Sequence, residues 1–222
     1  MKAGVIGLID GDFNAVSSFS ETVREDGHEL TRALEITKVF SLGDGHPAFR
    51  GHAVREELTT ANEMEISYGS IDTEETVQKT QRYTQLAGIA GEFVVVDGSR
   101  GAFAFDLIAD DTNTDIERAT VDLDAFLEKQ SDPHPWKAGF DSENGIAKSG
   151  VLYGDDLFAD DSIAHLLEDS SLNQLGLEYE YGGDDLKMTA TSSGYLEVYQ
   201  PSSFETGAFL EYLSSELGPH LQ

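Results

Sequence analysis

The first apolar run, "AGVIGLI" (3–9), is short, rich in β-branched residues and closed by Asp10, so it reads as a buried strand. After the acidic turn, Asn14 is placed to cap a helix carrying Val16, Phe19, Val23, Leu30 and Leu34 on one side, with Gly27 interrupting it. "EITKVFSL" (35–42) reads as a second strand and "GDGHPAFRGH" (43–52) as a loop. Residues 53–66 and 73–90 read as helices of poor apolar periodicity. "EFVVVDGSRGAFAFDLIA" (92–109) holds two apolar runs around Asp97-Gly98-Ser99-Arg100-Gly101, the pattern of a β-hairpin.

The best helical pattern is "TDIERATVDLDAFLEKQ" (114–130). Thr114 and Glu117 form a capping box, and Ile116, Ala119, Leu123, Phe126 and Leu127 make one apolar face. Residues 131–149 hold two of the five Pro and the only Trp, and read as a connecting loop packed onto the body. "DDSIAHLLED" (160–169) opens another helix. "LGLEYEY" (175–181), "LKMTAT" (186–191) and "YLEVYQ" (195–200) then read as three antiparallel strands joined by tight turns. A last helix starts at a second capping box, Ser202 and Glu205, buries Phe209, Leu213 and Leu217, and stops at Gly218-Pro219.

These elements predict an α+β fold, with antiparallel hairpins and a three-stranded C-terminal meander packed against amphipathic helices. The expected organisation is an N-terminal part over 1–130, the connecting loop 131–149, and a helix–meander–helix part over 150–222, or one continuous domain.

Charge changes this picture more than any motif. The chain carries 42 Asp and Glu against 14 Lys and Arg, a net charge of −28. The acids occur in nearly every segment rather than in a tail. Such a charge repels itself unless salt screens it, and at about 1 M salt the Debye length falls to roughly 3 Å. Dispersed acids, seven Lys and no Cys give a composition that resembles cytoplasmic proteins of extremely halophilic archaea. The absence of Cys excludes disulfides and thiolate chemistry. "MKAGVIGLIDGDF" is too short in its apolar run for a signal peptide, and no stretch approaches the ~20 apolar residues of a membrane span. The expectation is a soluble, cytoplasmic protein with no membrane contact.

The chemistry candidates are carboxylates. Asp10 and Asp12 follow the first strand, and "YGGDD" (181–185) places Asp184 and Asp185 in a hairpin turn. An apolar strand ending in an acidic turn, opposite a Gly-Gly-Asp hairpin, resembles the palm domains of diguanylate cyclases and of the CRISPR-associated polymerase-like subunit. The resemblance implies that Asp10, Asp12, Asp184 and Asp185 bind Mg²⁺ and clamp nucleotide phosphates. Against it, 21 Asp in 222 residues give about two Asp-Asp neighbours by chance and the chain has four, so acidic turns follow from composition alone. Asp44, His46 and His52 form a second, mixed nitrogen and oxygen candidate. There is no phosphate loop, no dinucleotide fingerprint and no nucleophile elbow. There is no basic patch for nucleic acid either, although counterion release contributes little at high salt.

The sequence therefore points to a halophile-adapted binding or regulatory protein without catalysis or cofactor, acting on a protein partner or on itself. One alternative is a Mg²⁺-dependent nucleotidyl or phosphoryl transferase using the four aspartates. The other is an acidic decoy for a basic partner, which requires its acids on one face.

Overall fold

Alternation with a period of two, rather than the helical 3.6, governs most of the chain. The computed structural model describes residues 1–13, 16–142 and 147–222. Strand makes up 55% of it and helix 21%, so the expected helix-packed α+β fold is corrected to one open, mostly antiparallel sheet with few helices.

In chain order, β1 (Ala3–Asp10) is followed by β2 (Phe19–Glu25), β3 (His28–Ser41), β4 (Pro47–Ser67), β5 (Ser70–Ile89) and β6 (Phe93–Val96). Next come α1 (Phe103–Thr112), β7 (Asp115–Arg118), α2 (Leu123–Glu128), β8 (His134–Asp141) and β9 (Ser149–Tyr153). The chain finishes with α3 (Asp161–Glu168), β10 (Ser171–Tyr181), β11 (Asp184–Thr191), β12 (Tyr195–Gln200) and α4 (Thr206–Tyr212), which runs on as a π-helical turn to Leu217. Among the described residues twelve strands share the sheet, in the order β2-β3-β4-β5-β6-β1-β12-β11-β10-β8-β9, with β7 also on β1.

Each departure from the expected elements has a physical reason. The helix expected from Asn14, a residue outside those described, is replaced over 19–34 by the β2–β3 hairpin. Its turn, Asp26-Gly27, has φ of 48° and 82°, the two consecutive left-handed residues of a tight hairpin turn. The helices expected at 53–66 and 73–90 are β4 and β5, paired residue for residue from Ala48↔Ile89 to Ser67↔Ser70. Their Glu, Met and Leu favour helix, but cross-strand pairing overrides that preference. The 92–109 hairpin is not formed, because β6 already has β5 and β1 as neighbours. Its second apolar run becomes α1, which buries Phe103, Phe105, Leu107 and Ile108 on the sheet instead.

Over 114–130 the structure places β7 and then α2, and the cap is Asp122, whose carboxylate accepts the Ala125 N–H at 2.9 Å. The Thr114 hydroxyl is bonded to Thr112, so the Thr114–Glu117 box does not form. At the second box, α4 is preceded by Glu205, whose side chain makes no capping bond. The expected connecting loop 131–149 contains β8, a central partner of β10. Strand β1, helix α3, β10 to β12 and the burial of Phe209, Leu213 and Leu217 follow the expected pattern, and Asp160 caps α3 by accepting from the Ser162 and Ile163 N–H groups.

Two apolar layers hold the sheet. On one face α1 packs against Val5, Leu34, Phe49, Leu86 and Val96 of the first half-sheet, reaching as far as Tyr195. On the other, α2 and α4 close over both halves, from Ile6, Ile89 and Phe93 to Leu177, Met188 and Leu196. No described helix is long and apolar enough to cross a membrane. None of the described Asp or Glu residues is buried, and they stand on both sides of the sheet, for example Asp106 on α1 and Glu211 on α4.

Candidate functional site

The four aspartates singled out by sequence do not meet. Val5 of β1 stands opposite Tyr195 of β12, which stands opposite Thr191 of β11. β1 and β11 therefore run parallel, with Asp10 five residues beyond that level and Asp184 seven residues before it. At about 3.3 Å per residue the two acidic turns lie roughly 40 Å apart along the strands. Asp10 faces Asp115 of β7 instead. Among the described residues no three His, Asp or Glu side chains are gathered as a metal ion requires. The second candidate is divided as well. His46 contacts Asp44 at 3.4 Å and Glu92 at 3.1 Å, while His52 is stacked on Tyr83 and bonded to its hydroxyl at 2.7 Å.

A different surface stands out, on the half-sheet β12-β11-β10-β8-β9. Its inner face belongs to the core, and α1 stops short of its outer face. Alternation and register assign the side chains there. At the end near the Asp184 turn, His134, Glu178 and Lys187 lie in one row across β8, β10 and β11, with Gln200 of β12 opposite Lys187. Behind this row sit Trp136 and Tyr199, each the extra residue where its strand slips register. Bulges thus re-aim two aromatic side chains onto the same patch.

Gly176 makes room for the indole. A Cβ at that position would lie 2.7 Å from Trp136, so any larger residue would lift the ring off the sheet. Tyr199 meets Trp136 edge-on at 6.0 Å between ring centres, and Lys187 holds its ammonium 4.8 Å above the indole while pairing with Glu178. Lys137 sits similarly over Tyr153, which is largely exposed. The hydroxyls of Tyr195 and Tyr199 both donate to Glu197, each at 3.1 Å. Burial, and then the charge of Glu197, push the Tyr195 phenol up to about 12. The buried indole N–H of Trp136 has no hydrogen-bond partner among the described residues, a state that costs about 1–3 kcal/mol.

The first row opens into a cleft of about 600 Å³ lined by Asp132, His134, Glu178, Asp185, Lys187 and Gln200. Asp156 holds the His134 imidazole through Nδ1 at 3.1 Å, and this bond raises the His134 pKa above its ordinary value. The sign follows directly. Protonated His134 favours the folded state at low pH, and that contribution is lost as pH rises through the raised folded-state value. The NMR titration of His134 is expected above 6.5, and Asp156→Asn is expected to bring it down toward that value. A midpoint unmoved by the substitution contradicts the assigned contact.

Lys137 and Lys187 stand on this face among Glu178, Glu180, Glu197, Asp141 and Asp185, so two of the seven lysines are gathered beside its aromatic side chains. In the sequence Trp136, Gly176 and Tyr199 are dispersed over "HPWKAG", "LGLEYEY" and "YLEVYQ", and no local pattern joins them. No protein-family model and no curated protein sequence matches the chain.

Proposed function

We propose that the protein is a non-catalytic binding protein adapted to concentrated salt, taking its partner on the outer face of the second half-sheet around Trp136 and Tyr199. The observation that carries this reading is a cluster of aromatic side chains, Trp136, Tyr199 and the largely exposed Tyr153, interleaved with Lys137 and Lys187 on a sheet face that α1 leaves open. In brine the range of Coulomb forces shrinks to a few ångströms, so recognition rests on stacking and apolar burial. Tyr199 and Tyr153 supply exposed aromatic surface of that kind, with Trp136 held flat over Gly176 beneath Lys187.

The test is positional. Benzoylphenylalanine placed at Tyr199 is expected to photocrosslink to one discrete partner in a molar-salt extract of the producing cells, and a Trp136→Ala background is expected to lose the adduct. Equal adducts from the probe at Asp106 on α1 would defeat the reading. Calorimetric titration with Mg²⁺ and nucleoside triphosphates in molar KCl separates the transferase alternative. Wild type and Asp10→Ala are expected to give the same heats, because Asp10 and Asp184 lie at opposite ends of the sheet. A ligand-dependent heat removed by Asp10→Ala would revive that alternative.

A further inference from the structure

β4 and β5 continue far past the rest of the sheet. The pairing of β4 with β3 begins at Arg32↔Arg55, so residues 56–67 and 70–81 pair only with each other. Twelve residues per strand at about 3.3 Å each give an arm on the order of 40 Å long. A two-stranded ribbon alone is marginal in water. This one has two unlike faces. One carries Glu57, Glu63, Glu65, Asp72 and Glu74. The other presents Met64, Ile66, Ile71 and Val77, with Tyr83 at its base. Of eleven exposed large hydrophobic side chains among the described residues, these five lie on that single face, at 56–79% exposure.

The charges on the apolar face fit a second copy of the same face. Along β5 the order on this face is Glu75, Val77, Lys79, symmetric about Val77 with opposite signs at equal distance. We propose that the arm is a two-fold interface, in which the apolar faces of two copies stack antiparallel about an axis at Val77. Val77 then meets Val77 of the partner subunit, each Glu75 meets the opposite Lys79, and Ile66 and Ile71 at the tip cover the opposite Tyr83. Lys79 reaches Glu56 of its own chain at 3.6 Å, so it would stand between two carboxylates. An axis midway along the arm would instead oppose Glu75 to Glu75, which disfavours that register. About twelve side chains a side, each covering roughly 60 Å², give on the order of 700 Å² per copy, at the lower end of what stable dimers bury. The acidic backs remain in solvent, and molar salt screens their mutual repulsion.

Sedimentation equilibrium of the full chain in about 2 M KCl tests this. Wild type is expected to dimerise at micromolar concentration. Val77→Asp, which sets two carboxylates on the axis, is expected to be monomeric with unchanged Trp136 emission. Glu75→Lys is expected to raise the dimer Kd about fivefold, and the double exchange Glu75→Lys with Lys79→Glu to return it to within about twofold of wild type. The exchange variants keep the test decisive if Val77→Asp fails to fold. A monomeric wild type, a dimer indifferent to Val77→Asp, or a double exchange no tighter than the single change would each overturn the proposal.

Discussion

Phe209→Ala is expected to destabilise the whole molecule by about 3–5 kcal/mol. That is a large part of the ~5–15 kcal/mol that holds an ordinary domain together. Phe209 on α4 is fully buried, in a layer that runs without interruption from Ile6, Ile89 and Phe93 of the first half-sheet to Leu177, Met188 and Leu196 of the second. Truncating it leaves a cavity between elements that both halves need. The loss should therefore appear as one transition. Trp136 emission, which reports from β8, and amide exchange of β5 and β6 are expected to weaken together and by the same amount. A variant that loosens one half while the other keeps its protection would show that the sheet is continuous in hydrogen bonding but divided in energy.

That shared layer also explains what was legible in the sequence. Elements buried on both faces, or patterned over a short distance, could be read directly. "AGVIGLI" is a strand because no polar position interrupts it, and α3 is a helix because Asp160 caps it. The arm was hidden because its strands alternate polar and apolar residues of high helix preference, and a polar face of Glu resembles a solvated helix surface. The "DG" at 26–27 is a hairpin turn, although Gly27 also fits an interruption of a helix. The second apolar run of 92–109 has the residues of a strand, but both edges of β6 are taken before it can pair. Nothing local carries that information.

The site was less legible than the fold. The four aspartates form a site only if an acidic turn after the first strand meets the Gly-Gly-Asp hairpin, and the register of β1, β12 and β11 separates those turns by the length of the sheet. The platform around Trp136 depends on two bulges and on a glycine across the ladder, features that appear only once the pairing is known. Separately, residues 53–66 and 73–90 have poor apolar periodicity as helices, and Met64, Ile66 and Ile71 come together only on one side of the ribbon.

Removing salt is expected to have the second large effect. A charge of −28 on a chain of 222 residues, with no described carboxylate buried and few basic partners, stores repulsion that molar KCl screens and dilute buffer does not. The surface ion pairs do not compensate, since pairs such as Arg24–Glu29 are exposed and worth at most about 1 kcal/mol each. Several kcal/mol of released repulsion, at about 2–4 °C per kcal/mol for a domain of this size, lowers the melting midpoint by on the order of 15–30 °C. The Trp136 melting curve in about 3 M KCl, compared with about 0.1 M, measures this directly. A midpoint that falls by tens of degrees, or a chain already unfolded in the dilute buffer, is the predicted result. A midpoint that stays in place would mean that the negative coat is not an adaptation to brine, and that its carboxylates are arranged for something other than solvent.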